Sequence, residues 1–197
     1  MTGQHTIAQT EQAVAELLGG LPLDFDAMMA VSNIYRASTA IRHHLEDLVL
    51  RTVDLTWTGF VVLWVLWVWG ELEARHAAAE AGITKGTLTG AIKTLGARRL
   101  VERRGDPDDG RVVRLRLTPA GKRLMRKLFP EFNREEAFVV AALRAPERRR
   151  LARSLRDIVQ HVEEHAEERR AALRQNTPGV RRSGGRVRAP DRLRQER

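Results

Sequence analysis

Residues 60–69 read FVVLWVLWVW, an unbroken apolar run between Gly59 and Gly70. A helix that is apolar on every side is one that is buried. At about 1.5 Å per residue the run spans roughly 15 Å, half of a hydrocarbon core of about 30 Å, which predicts a buried helix rather than a membrane span. Thr56 stands where an N-cap would open it and Gly70 where it would end. On a helical wheel Trp57, Phe60, Trp64 and Trp67 fall within about 80° of one another, while Trp69 points the other way. The 197 residues, 43% hydrophobic and 30% charged, suit one domain with extensions or two small lobes, and exclude a collagenous or wholly disordered chain. With no cysteine, disulfide frameworks, thiol catalysis and Cys-type zinc sites are excluded as well.

Around that run the periodicities predict a mainly α fold with one small β-hairpin. Residues 1–21 are weakly patterned, with a short helix at 11–18 that stops at Gly19-Gly20. After Pro22, Val31, Ile34, Ile41, Leu45 and Leu48 follow helical spacing as far as residue 50. A short helix at 73–81 is closed by Gly82, and Thr84 caps a second one, TKGTLTGAIKTLGARR, with Leu88, Ala91, Ile92 and Leu95 on one face. Two short helices separated by a glycine-containing turn form a helix-turn-helix candidate. LVERR, the turn GDPDDG and RVVRLRL then read as a hairpin, which in that position is a wing. Thr118-Pro119 opens a helix through Leu124, Leu128 and Phe129 to Leu143, and Ala145-Pro146-Glu147 opens the last one. There Leu151, Leu155, Ile158 and Val162 form a narrow stripe that seeks a partner. From Gln175 onward Pro, Gly, Ser and Arg mix without periodicity, a composition that predicts disorder.

The net charge of +9 is unevenly placed. Residues 84–127 hold 13 Lys and Arg against 4 Asp and Glu, and residues 171–197 hold 8 against 2, whereas residues 1–70 are acidic. A positive field focused on the second helix of the pair and the hairpin suits a polyanion, most simply double-stranded DNA, because neutralised phosphates release condensed counterions. With Leu88 at the centre of the buried face and 100° per residue, Gly86, Gly90 and Lys93 point outward, flanked by Thr87, Thr89 and Thr94. These are the candidate DNA contacts, with Lys85 at the helix start placed for a phosphate and Arg103, Arg104 and Arg114 for phosphates along the hairpin. Glycine within a helix costs about 1 kcal/mol relative to alanine, so two on the outer face suggest close approach of backbone to DNA.

The segments GITKGTLTGAIKTL, RRLVERRGDPDDGR and VRLRLTPAGKRL are in register with the recognition helix, wing and post-wing helix of the MarR (multiple antibiotic resistance regulator) family, which residues 55–124 resemble. The resemblance implies an N-terminal dimerisation helix (22–54), a winged helix-turn-helix lobe (55–117) and C-terminal dimerisation helices (118–170), and leaves an N-terminal extension (1–21) and a basic tail (171–197) outside it. It implies a homodimeric transcription factor on a palindromic operator, often a repressor released by a small molecule; the cytoplasmic location is expected separately, from an N-terminus that does not read as a secretory signal. Many family members carry arginine where Gly90 stands, and two adjacent arginines where this chain has Gly110-Arg111. Arg111 is then the candidate for the minor groove, oriented by Asp106 or Asp109. Family effector pockets lie where the tryptophan-rich helix meets the first long helix and the post-wing helix. The aromatic stripe therefore reads either as core or as the wall of a pocket for a planar aromatic effector, with Trp64 and Trp67 facing Met28, Met29 and Tyr35.

His161 and His165 sit four apart with Glu164 and Glu168 nearby, but a solvated charged helix explains them, as it does His43-His44, and no metal is assigned. There is no GxSxG, P-loop, HExxH or strand-linked GxGxxG, so neither catalysis nor a cofactor is expected. The first residues show no basic and apolar regions of a secretory signal. Two other readings stay open: an effector-independent architectural DNA binder, and a membrane-surface protein using the aromatic run and arginine tail.

Overall fold

Threonine opens four of the helices in the same way. The side chains of Thr6, Thr56, Thr84 and Thr118 accept from the backbone N–H groups of Gln9, Gly59, Thr87 and Gly121 at 3.0–3.1 Å, and Asp24 does so for Ala27 at 2.9 Å. The fold was obtained as a computed structural model that describes residues 5–106, 109 and 112–176. It comprises α1 (Ile7–Leu18), α2 (Phe25–Leu48), a 3-10 turn (Leu50–Val53), α3 (Trp57–Trp69), β1 (Leu72–Glu73), α4 (Ala74–Glu80), α5 (Lys85–Ala97), β2 (Val101–Gly105), β3 (Val113–Leu117), α6 (Pro119–Val139) and α7 (Ala145–Asn176). The chain forms two units, Met1–Ala142 and Leu143–Arg197. No helix among the described residues is long and apolar enough to cross a membrane.

In the first unit α3 is the hub, packed by α4, α5, α6 and β3. Phe60, Val62, Leu63, Val65 and Leu66 are buried, joined by Leu45 and Leu50, by Leu88, Ile92 and Leu95 of α5, by Leu115 and Leu117 of β3, and by Met125, Leu128 and Phe132 of α6. Among the described residues no polar or charged residue is buried. The aromatic stripe lies against α6: Phe60 stacks on Phe132 with ring centroids 4.2 Å apart, and Trp64 stacks on Phe129 at 4.7 Å with Trp67 edge-on at 5.6 Å. Trp69, on the opposite side, is 63% exposed.

The sheet has one strand more than expected. Its order is β1-β3-β2, antiparallel throughout, with Val101 opposite Leu117, Arg104 opposite Arg114, and Leu72 opposite Leu115. β1 is two residues long, too short to show a period. α1 begins at Ile7, four residues before the expected start, because Thr6 and Gln9 form a reciprocal capping box. Its Glu11 accepts from Asn33 of α2 at 3.1 Å. α6 stops at Val139 rather than 143, its end drawn into a tighter turn in which the Ala141 N–H reaches the Phe138 carbonyl at 3.0 Å. It carries Pro130 within the helix, on an exposed position.

In the second unit α7 extends to Asn176, so residues 171–176 are helical. Glu147 caps it by accepting from both the N–H and the guanidinium of Arg144 at 2.7 Å, and that hydrogen bonding holds the Glu147 carboxyl below its ordinary pKa. The stripe is present and open: Leu151, Leu155, Ile158 and Val162 are 38–56% exposed. The tail expected to be disordered lies, from residue 177, outside the described residues.

Two backbone positions carry opposite consequences. A Cβ on Gly121 would sit 2.2 Å from the Leu100 carbonyl oxygen, so only glycine lets α6 start against the β2 strand entry. Arg99 has φ 54°, a left-handed conformation that favours glycine. Gly121→Ala should lower stability by about 2 kcal/mol and Arg99→Gly raise it by about 1 kcal/mol, read by urea unfolding at one protein concentration.

Candidate nucleic-acid interface

α5 turns Leu88, Ile92 and Leu95 into the core, and this fixes what its other side presents. Lys85, Gly86, Thr87, Thr89, Gly90, Lys93 and Thr94 are all exposed, so every candidate contact on this helix lies on the surface. Beyond α5, Arg103 and Arg104 of β2 are exposed and Arg114 of β3 is half-buried.

The hairpin arginines are not equally available. Asp106 takes the Arg114 Nε at 2.5 Å and raises that guanidinium's pKa from its ordinary value. Glu102 lies between Arg116, which it contacts directly, and Arg104 at 3.6 Å, and hydrogen bonding from Arg116 holds the Glu102 carboxyl below its ordinary range. Lys85, Lys93 and Arg103 form no ion pair among the described residues and are the cations most open to phosphate. Asp106 also accepts from the Asp109 N–H at 3.3 Å, and the Asp106 N–H reaches the Val112 carbonyl at 3.0 Å, which shapes the base of the wing loop. Gly110 and Arg111, the candidate for the minor groove, lie outside the described residues.

Sequence reasoning missed Arg98. Its guanidinium donates to the carbonyls of Val53, at 2.8 Å, and Asp54, tying the end of α5 to the corner between α2 and α3. Asp54 there is left-handed, with φ 52°. The partners are 44 and 45 residues away, a separation no local pattern signals. Between the first turn of α3 and the side of α5 runs a groove of about 330 Å³ lined by Thr58, Thr87, Gly90, Thr94 and Arg98.

The pocket residues are placed differently from each other. Trp64 and Trp67 come together on Phe129, Met28 and Met29 are half-buried, and Tyr35 is 72% exposed. A cleft of about 460 Å³ opens between the end of α2, the 3-10 turn and α6, lined by Leu48, Val49, Thr52, Val53, Lys127, Leu128 and Glu135 among others, and none of Met29, Tyr35, Trp64 or Trp67 lines it. Beside it His44 Nε2 lies 2.8 Å from Glu135 Oε2, with its ring stacked on Phe138 at 5.3 Å. On α7 the rings of His161 and His165 stack at 4.6 Å, and among the described residues no group of three or more His, Asp or Glu is placed to hold a metal ion.

Comparison with known proteins bears on this lobe directly. Residues 55–113 match the model of the MarR family. The chain is 34% identical over 140 residues to YwaE of Bacillus subtilis, an uncharacterised HTH-type transcriptional regulator, spanning 71% of this chain and 82% of that one. Two similar solved structures, each 26% identical, are BpsR of Bordetella bronchiseptica, whose DNA binding is regulated by 6-hydroxynicotinic acid, and the PcaV transcriptional regulator of Streptomyces coelicolor in complex with its natural ligand. The first covers 66% of this chain and 98% of its own with a TM-score of 0.62, the second 74% and 99% with 0.60. YwaE and PcaV are transcriptional regulators, and BpsR binds DNA under the control of a small molecule. A helix pair presenting an exposed outer face, a basic hairpin behind it and kinship over most of a regulator's length agree: the chain belongs to the MarR family of DNA-binding, winged helix-turn-helix transcriptional regulators.

Proposed function

We propose that the protein works as a homodimer on a two-fold-symmetric operator, as a repressor that a small planar molecule releases. The observation that carries the DNA side of this reading is the outer face of α5, where Lys93 stands beside bare backbone at Gly86 and Gly90, with Lys85 at the helix start and Arg103 on the adjoining hairpin, none of the three cations in an ion pair among the described residues. A two-fold dimer would set two such faces about 34–36 Å apart, one DNA turn, so that both enter the major groove of mirrored half-sites. Arg111 would reach the minor groove from the wing. In a competition assay at fixed salt, the promoter duplex should bind about 10³-fold more tightly than random duplex, and equal affinities would leave only an architectural DNA binder. Lys85→Ala should weaken both duplexes alike and reduce the slope of log affinity against log salt by about 0.9.

The dimer reading rests on the open stripe of α7, because side chains such as Leu155, Ile158 and Val162 are left in water unless a second copy covers them. Ile158→Glu places a charge in the middle of that stripe and should shift the protein toward single subunits, measured by light scattering.

For the effector, the cleft between α2, the 3-10 turn and α6 is of a size suited to a small ligand and offers an apolar floor with Lys127 at its rim. An aromatic carboxylate of the kind that regulates BpsR would lay its ring on Val49, Val53 and Leu128 and its charge by Lys127. Tryptophan fluorescence titrated with 6-hydroxynicotinic acid and related acids should report binding, and Lys127→Ala should weaken it about tenfold or more.

A further inference from the structure

The face that α5 offers to the major groove is almost without hydrogen-bond donors. Lys85–Ala97 contains two lysines, three threonines and no Arg, Asn, Gln, Asp, Glu or His. The threonine hydroxyls all bond within the protein, and those of Thr89 and Thr94 do so as donors. Thr89 Oγ donates to the Lys85 carbonyl at 2.9 Å and Thr94 Oγ to the Gly90 carbonyl at 3.3 Å, while Thr87 Oγ shares a 2.9 Å hydrogen bond with Thr84 Oγ. A hydroxyl has one hydrogen, so at Thr89 and Thr94 it is spent and Oγ retains only lone pairs. An Oγ turned back on the preceding turn of its own helix also leaves the Cγ methyl as the group directed outward. Between these methyls the backbone is bare: a Cβ on Gly90 would meet nothing within 4 Å, and one on Gly86 only Thr84 Oγ at 3.8 Å. Lys93 is the one cation on the outward arc, since Lys85 lies toward the helix start.

Each base pair shows the major groove a different edge. Guanine offers two acceptors, N7 and O6, and calls for donors. Adenine offers the N6 donor, cytosine the N4 donor, and thymine a C5 methyl group. A threonine with its hydrogen spent can accept from N6 and pack its methyl on a thymine, so an A·T pair satisfies both of its exposed groups at once. Guanine finds no hydroxyl donor at Thr89 or Thr94.

Resting on the reading of α5 as the operator-reading helix, we propose that it selects A·T-rich half-sites by contact between methyl groups. The Cγ methyls of Thr89 and Thr94 pack on thymine C5 methyls, and guanine is excluded from the two positions they face in each half-site.

Thymine replaced by deoxyuridine loses that methyl and nothing else. The full chain is first used to select duplexes from a random library, and the best duplex is then remade with single deoxyuridines. Selected half-sites should be A·T-rich across the footprint. Deoxyuridine at two thymines per half-site should weaken binding about fourfold each, the equivalent of one buried methyl group. Thr89→Val, which keeps the methyl, should remain sensitive at its thymine, whereas Thr89→Ser should become indifferent there while still sensing the thymine of Thr94. Guanine selected at the positions facing Thr89 and Thr94, or affinities unchanged by deoxyuridine at every thymine, would overturn the proposal while leaving operator recognition intact. A chain that retains no duplex at all would overturn both.

Discussion

Burial of α3 is the constraint from which the lobe follows. A helix apolar on all sides cannot rest on a single neighbour, so α4 and α5, the β3 strand and α6 close around it together. Each of these has polar sequence to spare on its far side. The orientation of α5 is a by-product of that closure: Leu88, Ile92 and Leu95 go to the core, and glycine, threonine and lysine are left facing out. Tryptophans at the α3 surface meet Phe129 and Phe132, so the aromatic face is a joint between α3 and α6.

Much of this was legible in the sequence, and the reason is local chemistry. Thr56, Thr84 and Thr118 announce their helices because a cap needs only a hydroxyl three residues before an N–H. The hairpin was legible from alternation, and the α7 stripe from its spacing. What failed to show was of two kinds. Elements shorter than a period, such as β1, leave no pattern, and the Thr6–Gln9 box that lengthens α1 sits in otherwise weak sequence. Contacts over tens of residues leave none either: Arg98 with Val53 and the aromatic pairing of α3 with α6 depend on the closed fold. The pocket expectation suffered from the same gap, since Trp64 and Trp67 were readable as a face but not their partner Phe129.

Charge counting also overstates what is available to DNA. The basic segment contains four carboxylates, and of these Glu102 and Asp106 hold Arg104, Arg114 and Arg116 by their side chains. The Glu102 pairs lie at the surface and can exchange partners with phosphate at small cost, whereas Asp106, its side chain 9% exposed, keeps Arg114.

Arg98 spans the gap between the end of α5 and the corner after α2 by gripping main-chain carbonyls, which unlike side chains have no rotamer to yield. The last turn of α5 and the bend that follows the long α2 rod are therefore laced together by a single side chain.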